Sequence, residues 1–143
     1  MKNQSMRIYR SCSLAMAVTF AAVGLVFLFW PETVLDFFNR ISPQPGLASA
    51  PAHPGSFFPI LAVAYMYLVT LLAWLMFRNP RHTLLPLLLA QGKFASSILS
   101  LLFFFGRAPY LVCLANAITD GSIGALVMWL YFLQKKHVES WQT

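Results

Sequence analysis

The apolar residues of this chain gather into four runs, at about 11–30, 57–77, 83–105 and 109–133. A helix rises ~1.5 Å per residue, so a run of about twenty crosses the roughly 30 Å of hydrocarbon in a bilayer. Backbone amides find no water there, which makes a helix the conformation in which each run satisfies its own hydrogen bonds. Composition agrees, because 59% of the 143 residues are hydrophobic and 10% are charged, too few charges to coat a water-soluble globule. The expected fold is an all-α membrane protein, a single four-helix transmembrane domain over 1–143.

The basic residues orient that domain. Lys2, Arg7 and Arg10 precede the first run, Arg78 and Arg81 separate the second from the third, and Lys135 and Lys136 follow the fourth. Arg40 and Arg107 fall on the opposite side. The excess of positive charge marks the cytoplasmic face, so both termini and the middle loop are expected there. Residues 134–143 then form a cytoplasmic tail. The net charge of +6 needs no nucleic acid to explain it, since basic and aromatic residues do not interleave on any polar surface. The opening segment imitates a secretory signal, but its apolar stretch exceeds the usual ~7–15 residues and no small-residue cleavage site follows, so it reads as a retained first helix.

Between the first two runs, PETVLDFFNRI reads as a short interfacial helix over about 32–40. Pro31 suits a first helical turn and Glu32 suits the positive end of the helix dipole. Val34, Leu35, Phe37 and Phe38 are expected to dip into the interface, with Asp36 and Arg40 in water. The stretch 41–56 is a Pro-rich external loop, and its His53 has no ligand spacing to Glu32 or Asp36 that would suggest a metal. Trp30 at one boundary and Trp74 and Trp129 at the other supply aromatic belts. Cys12 and Cys113 lie near opposite faces, most of a bilayer apart, beyond the ~7 Å that a disulfide spans.

Lys93, in AQGKFASS, and Asp120, in NAITDGSIG, are the charged residues that fall deep in the apolar runs. Each costs about 2.5–3.5 kcal/mol at the centre of a spanning helix. The third and fourth runs are joined only by Gly106, Arg107 and Ala108, and a hairpin folded between Gly106 and Arg107 brings Lys93 and Asp120 to the same depth. Asn116, four before Asp120, then falls opposite Ser97, four after Lys93. The expected site is a buried Lys93–Asp120 pair supported by Asn116 and Ser97, with Gln91, Ser96, Thr119 and Tyr65 around it. It reads either as a polar clamp on helix register or as a place where a proton, an ion or a polar ligand is exchanged. Ala117, Gly121, Gly124 and Ala125 form a small-residue ladder, suited to close packing of helices within the chain or between copies.

Several chemistries lack their residues. No histidine lies in any span, which argues against a bis-histidine haem, and there is no Cys-x-x-Cys pair, phosphate-binding glycine loop or serine-nucleophile motif. No catalytic residue and no metal site is nominated, and no cofactor is required, although quinone or lipid would fit a polar pocket.

At GLVFLFWPETVLDFF the first helix leaves the membrane through a Pro-Glu pair into a short amphipathic piece; an arginine-bearing turn and a polar-centred last helix follow. This order resembles the small four-helix bacterial membrane proteins related to the DoxX family. The likeness is one of layout over most of the chain, and no family motif matches Lys93 or Asp120. It implies a bacterial inner-membrane location and, for some members, association with membrane redox complexes. Three roles follow as expectations: a non-catalytic accessory or assembly subunit, with homo-oligomer or complex partners; a small oligomeric transporter or channel component using the Lys-Asp pair; or a quinone- or lipid-binding redox subunit.

Overall fold

The computed structural model describes residues 2–51, 58–107 and 109–139. Its helices are α1 (Lys2–Phe29), α2 (Pro31–Ile41), α3 (Phe58–Arg78), α4 (Leu84–Gly106) and α5 (Leu111–Glu139). Four of them contain stretches long and apolar enough to cross a membrane: Gln4–Phe29, Pro59–Arg78, Leu84–Gly106 and Leu111–Lys135.

The packing is a closed ring. α1 lies along α3 and α4 along α5, while contacts of α3 with α4 and of α1 with α5 join the two pairs. The interior is filled by Met16, Phe20, Met66, Val69, Met76, Leu89, Val127 and Leu130, with Ala17, Ala73 and Ala90 where helices approach closely. Outward-facing positions are equally apolar: Tyr67 is 70% exposed, Ile60 62% and Phe105 79%. Such a surface would aggregate in water and suits lipid.

Antiparallel packing gathers the basic clusters at one end. Arg10 of α1 sits over the Phe77 ring near the end of α3, 5.0 Å from its centroid. Gln134 of α5 donates Nε2–H to the Pro80 carbonyl in the turn after α3, at 2.7 Å. Gln134 is thus buried in the bundle and α5 continues to Glu139, so the segment expected to be a tail from 134 is helical through 139. α1 likewise begins at Lys2, ahead of the apolar run, because a helix carries its polar residues beyond the hydrocarbon without breaking its own ladder.

The other end is covered by α2 and the residues after it. Pro31 opens α2, Glu32 lies in its first turn and Arg40 in its last, and α2 touches α1 and α5. Val34, Leu35 and Phe38 are half-buried on its inner side. Phe37 is exposed, as are Asp36 and Arg40. Asn39 closes the following loop by donating Nδ2–H to the Ala50 carbonyl at 2.9 Å and accepting from the Ala50 amide at 2.8 Å. Gly46, at φ 74°, makes the left-handed turn this closure needs. Ala48 pairs with Tyr110 in an isolated bridge, strapping the loop to the start of α5. His53 lies outside the described residues.

Candidate functional site

Lys93 Nζ donates to Asp120 Oδ1 at 2.7 Å, and the two residues are 2% and 4% exposed. The equal depth of the two residues from the α4–α5 turn allows the contact, and the small residues of α5 decide the rotation. A Cβ on Gly121 would stand 3.0 Å from Ser97 Oγ, and one on Gly124 would stand 2.9 Å from the Phe94 ring. Without those methyl groups α5 settles into α4, and Asp120 turns inward beside them.

The ammonium touches more than its carboxylate. It lies 4.8 Å from the centroid of the Phe20 ring on α1 and 5.0 Å from that of Tyr65 on α3. Lys93 of α4 therefore contacts a side chain from each of the other three spanning helices. Two aromatic faces offer a cation partial compensation for lost water. Asp120 Oδ2 accepts no hydrogen bond among the described residues.

The surrounding polar residues take roles that differ from those expected. Ser97 does not meet Asn116; its Oγ donates to the Ala117 carbonyl at 2.7 Å, reached because the backbones are so close. Asn116 is exposed and donates Nδ2–H to Ser100 Oγ at 2.7 Å and to Ser96 Oγ at 3.2 Å. Residues four apart differ by about 40° around a helix, enough to leave Asn116 at the rim of the seam while Asp120 lies inside it. Asn116 supports the hairpin, not the ion pair. Gln91 and Thr119 are exposed and form no part of the enclosure. Tyr65 does, and its hydroxyl donates to the Gly92 carbonyl at 3.2 Å. Ala117 and Gly124 are buried at the α4–α5 seam, whereas Ala125 faces outward.

Phe20, Ser100 and Gln134 escaped the sequence reading. Phe20 is one of 13 phenylalanines and nothing local distinguishes it, whereas Ser100 could have been found as the residue one turn beyond Ser96.

A groove of about 570 Å³ opens outward beside the pair, lined by Tyr65, Gly92, Ala95, Ser96, Leu99, Ser100, Phe103 and Cys113. Tyr65 belongs to both places, its ring beneath the Lys93 ammonium and the residue part of the groove wall. Cys12 and Cys113 are free thiols. Among the described residues no cluster of His, Cys, Asp or Glu has the makings of a metal site. No protein-family model, curated protein or solved structure matches this chain.

Proposed function

We propose that this chain is a non-catalytic integral membrane protein of a bacterial inner membrane, serving as an accessory or assembly subunit of a larger complex. The observation that carries this reading is the enclosure of Lys93 and Asp120. The ammonium is occupied by Asp120, Phe20 and Tyr65, so the strongest charges in the span are used to join four helices. A coupling site for a proton or ion needs a path to water, and both side chains are buried on every side. The basic end, with Arg7, Arg10, Arg78, Arg81 and Lys135, is proposed to face the cytoplasm, and with it both termini. The DoxX-like relationship remains a proposal resting on layout.

Purification from native membranes in a mild detergent, followed by native mass spectrometry and crosslinking, tests the reading. The expected result is a stable assembly with itself or with other membrane subunits. A lone monomer would count against it. Proton or ion flux in proteoliposomes that disappears in a folded Asp120→Asn variant would replace it with transport.

A further inference from the structure

The groove outside the ion pair has a graded polarity. Phe103 is the lining residue nearest the α4–α5 turn, and Arg107, one turn beyond it, places its guanidinium over that ring, 5.6 Å from the centroid. Ser100 follows, about 10 Å further down by helix rise, tied to Asn116. Ser96 lies one turn deeper, and beyond it the walls are Ala95, Tyr65 and Gly92. The order of environments is cationic, then hydrogen-bonding at the two serines, then largely apolar, since the Tyr65 hydroxyl at the deep end is already spent on the Gly92 carbonyl. Asn116 is exposed on α5, one turn from Cys113, which lines the groove. Its amide ties Ser96 and Ser100 together, so one amide and two hydroxyls are gathered at this side of the α4–α5 seam.

The dimensions select the occupant. From Gly92 to Phe103 the groove follows α4 for about 16 Å, roughly half the hydrocarbon thickness, whereas a partner transmembrane helix needs a face along the whole span. Its volume falls among small-molecule sites of ~300–1,000 Å³. Only membrane-soluble molecules reach it from the side. We infer that this groove binds one glycerophospholipid, with the phosphate at Arg107, the glycerol-ester oxygens at Ser100 and Asn116, and an acyl chain laid past Leu99 and Ser96 toward Tyr65. The vertical order of charge, ester and hydrocarbon in such a lipid reproduces the order of the walls. Arginine suits a phosphate through its paired donors, and serine hydroxyls donate to ester carbonyls. The inference stands apart from the accessory reading, since a lipid can be held by a monomer or within a complex.

The test is native mass spectrometry of the full chain released from nanodiscs, with three probes: dioleoylphosphatidylglycerol, dioleoylglycerol, which lacks the phosphate, and decylubiquinol. Phosphatidylglycerol should be retained as a single bound molecule, and dioleoylglycerol about tenfold less, the loss expected for a charge-assisted contact. Arg107→Gln should lower phosphatidylglycerol retention by a similar factor, while Arg40→Gln, at the same end of the bundle, leaves it unchanged. Ser100→Ala should lower it about threefold. Ala95→Trp should fill the groove and abolish retention, with Val18→Trp, on a lipid-facing position of α1, as the control for added bulk. Equal retention in Arg107→Gln and Arg40→Gln, or in Ala95→Trp and Val18→Trp, would overturn the assignment. So would binding of dioleoylglycerol or decylubiquinol as tightly as the phospholipid.

Discussion

The Lys93 side chain leaves α4 about 14 Å from the start of the helix, too deep for its methylene stem to carry the ammonium to either interface. It must therefore be compensated where it stands, and Asp120, Phe20 and Tyr65 together do this. Removing one partner leaves the other buried and uncompensated, which costs more than the pair itself contributes. Asp120→Leu and Lys93→Met should each destabilise the bundle by about 3 kcal/mol. The double variant should recover at least ~1 kcal/mol relative to the sum of the two. Reversible unfolding in mixed micelles, read as a double-mutant cycle, measures this coupling. Strict additivity of the two losses would mean that the groups do not interact. Depth along a helix is legible in sequence because the rise per residue is constant, and that is why Lys93 and Asp120 could be matched before any coordinates. Rotation about the axis is not legible in the same way. Ser97 found a backbone carbonyl and Asn116 found two other serines because of how closely two helices approach, a quantity that hydropathy does not encode.

That approach is set at the level of the α4–α5 hairpin by Gly124 and Gly121. The two glycines differ in what faces them. Gly121 meets a serine oxygen already bonded to the Ala117 carbonyl, and Gly124 meets the Phe94 ring. An alanine at 124 would drive its methyl into that ring, so Gly124→Ala should destabilise by about 1–3 kcal/mol, the range for overpacking a filled site. Trimming the obstacle in the double variant Gly124→Ala, Phe94→Leu should return part of this loss. Ala125→Leu, on the outward face, should change stability by less than ~0.5 kcal/mol. Thermal unfolding in detergent distinguishes these outcomes, and equal effects at 124 and 125 would mean that the ladder serves contacts outside the chain. The ladder was visible as small residues at helical spacing, but whether it faced α4 or a second copy depended on the same rotation. Element ends were the other gap. The run ending near 133 marks where the chain stops being oil-soluble, whereas α5 is helical through Glu139, past Gln134 and its bond to the Pro80 carbonyl.

Over the whole molecule, the closed ring has two unlike ends. One carries Arg7, Arg10, Arg78, Arg81 and Lys135, drawn together by the Arg10–Phe77 and Gln134–Pro80 contacts. The other carries α2, the strapped loop and Arg107, with two of the chain's arginines in all. Four spans and an even crossing number follow from run length alone, and so were legible. The polarity of ends also was, because the runs alternate direction and the basic clusters fall after every second one. The proposed orientation follows from the energetics of insertion, which retains Lys- and Arg-rich short loops on the cytoplasmic side. In a background of Cys12→Ser and Cys113→Ser, single cysteines at Arg40 and at Arg81 report the two ends directly. A membrane-impermeant maleimide added to intact cells should label Arg40→Cys and leave Arg81→Cys unlabelled until the membrane is opened. Reversal of the two would place the basic end outside. Replacing Arg78 and Arg81 with glutamine, with Arg40→Cys as the reporter, should weaken the bias without reversing it, because Arg7 and Arg10 still hold the start of α1. A mixed labelling pattern in that variant, with the parent uniform, is the signature expected if charge at the basic end sets the orientation of the whole bundle.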